Sequence, residues 1–392
     1  MALYGYSLMR GGLVHRLLHA AGVLHGRAHL SWWLALALLL LCLLPPLLLT
    51  AAAGTLLPGG NGMALLGDYA TLSRLLLVVP LLVLAAPHAD ALLRNALRQL
   101  GHASLVPPRR SARLERLLQR IRRGRDSWLP ELLCLLVALA PFWLAGHAVN
   151  LLPGVADWRL HGDQLTAAGR WYEWVSLPLS RLLGLLWLWR FVLWTVLLCG
   201  LPRVGLRLHA EHPDGAGGLA FLGLAQERFA ILALAGGLLL AGACLNQMHW
   251  LGQTLYSLRH LLAGYVIGAT ALLVAPLLVL MPTLMRAKRH ALFRFDALGN
   301  RAATVFDQRW QAAGSVLAGD ADGSDSLLDH GDASAYADFS GVYQGLARMS
   351  AVPFNRWNLA WIAAHAALPL GPLALMAMSV DELVKKLVGI LA

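Results

Sequence analysis

The stretch HAEHPDGAGGLAFLG at 209–223 gathers the densest chemistry in the chain: two histidines, a glutamate, an aspartate, a proline and four glycines. His209, His212 and Asp214 are metal ligands by type, with Glu211 beside them. The glycine-rich segment around Gly217 and Gly218 offers backbone N–H groups that could cradle an anion at a helix start. A third outcome is structural. Pro213 bends the chain, and Asp214 is a good N-cap ahead of small residues. His209 and His212 are three apart and would share one helix face, but Pro213 makes a continuous helix there unfavourable. No H-E-x-x-H pattern or third distant ligand accompanies them. The residue types favour the turn, with metal and anion binding as the lesser readings.

Two arginines, Arg181 and Arg190, lie inside a strongly apolar run, where charge is costly and marks a functional suspect. They are nine residues apart, so at about 100° per residue they point to opposite faces of one helix. Arg190 lies too deep to reach the interface easily and needs a carboxylate, carbonyls or water; Glu131 is the nearest carboxylate by depth. A buried pair and a permeation role are both open. His147, Asn150, Asn246, Gln247 and His249 fall at one level and could line an outer vestibule. His365, near Pro369, Gly371 and Pro372, sits where a helix should kink or break.

All of these must be positioned by apolar helices. The chain of 392 residues is 58% hydrophobic and only 14% charged, where a soluble domain carries about a quarter of its residues charged. Lys and Arg total 32 against 21 Asp and Glu. In a membrane protein such an excess first means cytoplasmic loops and anionic headgroups, and no nucleic acid is expected. Cys42, Cys134, Cys199 and Cys244 all lie in apolar runs without C-x-x-C spacing, so they read as small core residues. There is no Walker A loop, no G-x-S-x-G and no C-x-x-C-H, which excludes the enzymes that carry them. The acidic run DADGSD at 320–325 lacks the glycine and glutamate positions of a calcium loop. No cofactor is expected.

Runs long enough to span, at roughly 20 residues each, occur at 31–53, 71–88, 128–151, 173–199, 228–248, 260–283 and 357–379. They predict an all-α, polytopic membrane helix bundle of about seven transmembrane helices. The intervening segments hold 24 of the Lys and Arg on one side and four on the other. This places the N-terminus in the cytoplasm and the C-terminus outside. The implied organisation is a cytoplasmic segment 1–30, a first hairpin 31–88, a basic loop 89–127, a four-span core 128–283, a cytoplasmic loop 284–356, and a last span with an amphipathic tail 357–392.

Within the basic loop, Leu114, Leu117, Leu118 and Ile121 recur at helical spacing among arginines. Residues 109–125 therefore predict a helix lying on anionic headgroups. The second loop predicts an amphipathic helix, an acidic Gly/Ser-rich linker and a short helix at 335–350.

The segment His212-Pro213-Asp214-Gly215-Ala216-Gly217-Gly218-Leu219-Ala220-Phe221-Leu222 resembles a signature of uncharacterised multi-spanning bacterial membrane proteins, which read His-Pro-Asp-Arg-Ala-Gly-Gly-Leu-Gly-Phe-Leu. The stretches 335–354 and 368–391 are also similar. Gly215 stands where arginine is usual and Ala220 where glycine is usual, so any contact made by that arginine is lost. The resemblance implies a bacterial inner-membrane location and no particular activity. The leading functional expectation is a channel or transporter for a small, anionic solute, assembled as a homo-oligomer, with Arg190 in the path. The alternative is a non-transporting scaffold or lipid-facing enzyme acting at the cytoplasmic face.

Overall fold

The computed structural model describes residues 29–58, 62–102, 105–145, 152–162, 164–317 and 331–376. The chain is predominantly helical. We label α1 (His29–Ala52), α2 (Tyr69–Leu72), α3 (Val79–His102), α4 (Ser111–Asp126), α5 (Leu129–Ala145), α6 (Ala167–Trp171), α7 (Leu177–Val204), α8 (Phe221–Gln226), α9 (Ala230–Leu251), α10 (Leu255–Leu278), α11 (Met281–Leu317), α12 (Gly331–Ala347), α13 (Arg356–Ala367) and α14 (Gly371–Met376). Among the described residues, five helices are long and apolar enough to cross a membrane: Ser31–Ala52, Tyr69–Gly101, Ala167–Val204, Phe221–Leu251 and Leu255–Leu278. Helices suit such sequences because lipid offers no partner for an open backbone. On α1 the exposed Leu36, Leu40, Leu44 and Leu48 recur every fourth residue, a stripe compatible with contact to lipid.

The helices run between two ends of the bundle. At the strand end, β1 (Gly62–Met63) pairs in parallel with β2 (Ala156–Asp157), and β3 (Leu160–His161) pairs antiparallel with β4 (Gln164–Leu165). These short pairs are additions to the expected all-α class. At the basic end, Arg207 N–H donates to the Leu105 carbonyl at 2.7 Å, Ser350 N–H to that of Gly215 at 2.8 Å, and the Lys288 ammonium to that of Met349 at 2.8 Å. The central element is Phe221–Leu251, half of whose apolar window is buried against 22% in Leu255–Leu278. Its glycines permit close approach: a Cβ at Gly242 would strike Ser73 Oγ and the Tyr69 carbonyl, and one at Gly237 would meet the Ala366 carbonyl and Pro369.

Several boundaries differ from the sequence expectation. The second apolar run does not end at 88 but continues to His102. Pro87 is tolerated inside it, Leu93, Ala96, Leu97 and Leu100 are buried at helical spacing, and Arg94 pairs with Asp90 one turn away at 3.2 Å. The run 128–151 is a helix over Leu129–Ala145, with 146–151 outside the described residues. The last run is not one long helix. A 3-10 turn at Leu368–Leu370 separates α13 from α14, because Pro369 has no N–H to continue the helical ladder. The segment still passes along α9, from Glu227, which accepts from Asn358, to the level of Cys244, where Leu373 joins its cluster. The basic helix α4 does not lie free. Leu114, Leu118 and Ile121 are buried in the main core, Leu117 seats on Gly200 of α7, and Gly124 faces Leu193. The acidic stretch 319–338 is not a linker throughout: 331–338 is helical and begins α12, which ends at Ala347 and not at 350, while 319–330 and the tail at 380–392 lie outside the described residues.

Candidate functional site

The stretch 209–223 folds as a turn closed by its own aspartate. Asp214 accepts backbone N–H groups from Ala216 at 2.9 Å, Gly218 at 3.0 Å and Ala220 at 3.0 Å. The nest that could have held an external anion is thus filled by a carboxylate of the chain. Gly215, Gly217 and Gly218 all have positive φ, which a residue with a Cβ adopts poorly. His212 stands 3.0 Å from Asp214, and Glu211 reaches Arg294 of α11 at 3.5 Å. Among the described residues no three His, Cys, Asp or Glu side chains gather as a metal site, so His209, His212 and Asp214 lack the convergence that a metal needs.

Burial alone would raise the Asp214 carboxyl, but the three backbone donors and His212 hold it below the usual carboxylate range. A depressed folded pKa stabilises above the unfolded value and is lost as pH falls through the folded one. Asp214→Ala should therefore lower stability by about 1–2 kcal/mol, as cap removal does. The deficit against wild type should be constant from pH 5 to 8 and shrink only below about pH 4. Thermal unfolding in detergent across that range checks it; a deficit that does not shrink on acidification would overturn the assignment.

Arg190 pairs with Glu131 of α5 at 3.7 Å, both side chains being buried. Arg125, Asp126 and Asp90 lie within electrostatic range of the same guanidinium. Of the expected vestibule residues, Asn246 does not face an open space. It accepts from Tyr69 N–H and donates to Asp68, each at 2.8 Å. Gln247 accepts the N–H of Gln253 at its backbone carbonyl, and His249 packs edge-on against Tyr69 and Trp250. His147 and Asn150 lie outside the described residues. His365 bonds the Trp361 carbonyl of its own helix at 2.8 Å.

Asp68 is the centre of a buried network at the strand end that the spacing of residues did not reveal. It caps α2 through Thr71 and also accepts from Trp158 and Asn246. Next to it, Arg159 is bound to Asp157, lies 3.9 Å from Glu173, and rests against the rings of Trp158 and Tyr172.

Through Tyr172 this network touches Arg74, which lines a cavity of about 880 Å³ between α3, α5, α7, α9 and α10. Arg74 and Arg181 both line it, with Ser180; the rest of the wall is apolar or glycine apart from Tyr265. A Cβ at Gly184, Gly264 or Gly268 would meet nothing within 4 Å, so these glycines hold the space open. Leu188 and Leu272 line it and are exposed on the bundle's flank. Arg74 donates to the Tyr172 hydroxyl, and Arg181 Nη1 donates to the Ala138 carbonyl at 3.5 Å. The two guanidinium charges lie close enough to act on each other. Arg74 and Tyr172 each sit in a π-helical segment, Ser73–Val78 and Tyr172–Ser176, where the helices widen. Such segments are frequent at functional sites. Arg190 is not part of the cavity wall.

The chain matches no family model, no curated protein and no solved structure, so its chemistry has to be argued from this geometry.

Proposed function

We propose that the protein is a seven-crossing membrane protein that takes an anionic amphiphile into the cavity headed by Arg74 and Arg181, and handles it there as a transporter or carrier rather than as an enzyme. The observation that carries this is the pairing of two guanidinium groups with an otherwise apolar, glycine-widened wall. Both guanidinium groups are half-buried and act on each other; Glu173 offsets part of the charge on Arg181, and an anion between the two would offset more. Guanidinium forks suit phosphate or carboxylate oxygens. The apolar wall suits a chain, and exposed Leu188 and Leu272 at its margin suit entry from lipid. This favours an amphiphile over a small aqueous solute, and it moves the expected anion contact from Arg190 to Arg74 and Arg181. The basic end is assigned to the cytoplasm by its excess of Lys and Arg. The passage of 356–376 along α9 supports the seventh crossing.

The test uses purified protein in detergent with lysophosphatidate, its uncharged monoacylglycerol analogue, and inorganic phosphate. Lysophosphatidate should bind at least about tenfold more tightly than the other two, since a charge-assisted bond contributes about 1.5–3 kcal/mol. Arg74→Gln with Arg181→Gln should lose about the same factor. Gly268→Leu should also weaken binding, by filling the cavity. Equal binding of monoacylglycerol, or an unchanged affinity in the double variant, would remove the anion site. Equal binding of inorganic phosphate would remove the amphiphile.

A further inference from the structure

A second basic site lies at the other end of α7. Arg113, Arg116 and Arg120 form one row on α4 at spacings of three and four, and Arg203 of α7 lines the same groove of about 740 Å³. The groove has no carboxylate in its wall, and none of these four arginines forms a salt bridge among the described residues. Its geometry is set by packing. Leu114, Leu118 and Ile121 fix α4 into the core, and Leu117 sits against Gly200, where any Cβ would collide with it. Two of the guanidinium groups are also held: Arg203 Nη1 donates to the Cys199 carbonyl at 2.8 Å and Arg116 Nε to that of Ala112 at 3.2 Å. Beyond the groove toward the middle of α7, Val196, Val192 and Leu188 are exposed at four-residue spacing. At 1.5 Å per residue they form an apolar track roughly 12 Å long.

We propose that this groove holds the headgroup of a lipid carrying two phosphates, with its chains along Val196, Val192 and Leu188. Charge favours the headgroup with more phosphates: one diester phosphate would leave three of the four guanidinium charges uncompensated, while two leave two. The apolar track decides for a lipid over a nucleotide or a phosphopeptide, neither of which would cover it. Basic pockets at the cytoplasmic ends of membrane helices bind lipids of this kind. The proposal rests on the cytoplasmic placement of the basic end given above; its headgroup groove shares no lining residue with the Arg74–Arg181 cavity, although Leu188 at the far end of the track borders that cavity.

The experiment is native mass spectrometry of the full-length protein released from mixed micelles. These contain cardiolipin (two phosphates), phosphatidylglycerol (one) or phosphatidylcholine (no net charge), with pyrophosphate as the free diphosphate. Cardiolipin should be retained in preference to phosphatidylglycerol by about tenfold or more, and less as salt rises. Each basic residue near a headgroup contributes roughly a factor of five, so replacing Arg113, Arg116 and Arg120 together with Gln should cost about a hundredfold. These side chains are exposed, so the triple variant should keep the thermal stability of the parent. All forms are compared in an Arg74→Gln, Arg181→Gln background, which removes the cavity as a second anion site and so separates failure of this site from failure of the cavity. Cys199 lines the groove, while Cys42 and Cys244 are buried. In a Cys134→Ala background, cardiolipin should therefore slow maleimide labelling of Cys199. Retention of phosphatidylglycerol equal to cardiolipin, full retention by the triple variant, or no protection of Cys199 would each overturn the proposal. Pyrophosphate binding as strongly as cardiolipin would overturn the lipid as the ligand.

Discussion

Glu131→Gln lowers stability by about 3–5 kcal/mol, the cost of leaving one member of a buried ion pair without its partner. The side chains of Glu131 and Arg190 are 3% and 8% exposed and 3.7 Å apart. A guanidinium does not shed its proton inside a protein, so Arg190 stays charged when Glu131 is neutralised. Asp90 and Asp126 act on Arg190 too, but Arg125 opposes them, which places the expected loss toward the lower end of that range. Glu131→Gln combined with Arg190→Gln removes both charges and should recover most of the loss, because two neutral polar groups can share a hydrogen bond. Unfolding in detergent of the two single variants and the double variant gives the coupling directly. An anion path through Arg190 predicts a different pattern: Arg190→Gln would lower anion flux into proteoliposomes at unchanged stability, with no rescue by the second change. Recovery of stability in the double variant, with no flux above protein-free vesicles for any form, leaves the pair as a structural tie between α5 and α7.

How far the sequence foretold this arrangement depends on the distance over which each signal acts. The helical character of α4 was legible in the spacing of Leu114, Leu117, Leu118 and Ile121, because a 3.6-residue period needs only neighbours. What that face meets was not legible: lipid and the apolar flank of α7 demand the same residues. The turn at Asp214 could be read locally as well, since its partners lie two to six residues away, although Asp214 closes that turn and does not cap α8, whose N-cap is Ala220. Asp68 gave no such signal, as Asn246 is 178 positions distant. The helix past residue 88 was obscured by Asp90, Arg94 and Arg98, which read as loop; Asp90 is in fact buried beside Leu93 and Leu97 and answered by Arg94. Arg74 falls near one end of the short apolar run 71–88 and carries no signal of its own. Its importance comes from Tyr172 and Arg181 on a second helix, and from π-helical widening in both helices. No residue pattern in one strip of sequence encodes that meeting.

Asp68→Ala should be as damaging as loss of Glu131, at about 3–5 kcal/mol, and its damage should be local to the strand end. Four donors converge on this carboxylate: Thr71 N–H at 3.0 Å, Thr71 Oγ1 at 2.6 Å, Asn246 Nδ2 at 2.8 Å and Trp158 Nε1 at 3.3 Å. Asp68 is 2% exposed, so water cannot readily replace it, and each buried donor left unpaired costs about 1–3 kcal/mol. The first two of these bonds start α2, the third fixes that start to α9, and the fourth draws in the segment that carries Arg159. Asp68→Asn should cost less, because one acceptor oxygen remains, though its amide nitrogen now confronts a donor and its charge no longer faces Arg159. Asn246→Ala should remove part of the same network, so the losses in Asp68→Ala and Asn246→Ala should fall short of additive when combined. Hydrogen exchange gives the spatial test: protection should fall at 62–72 and 152–166 while α4 and the turn at 209–220 keep theirs. Arg74 lies six residues past Asp68 on the same helical run, so lysophosphatidate affinity should fall as well, although Asp68 does not line the cavity. Additive losses below about 1 kcal/mol in total would mean that these donors find other partners. Asp68 would then be a replaceable cap, and the placement of Arg74 would depend on the packing of Gly242 against Ser73 instead.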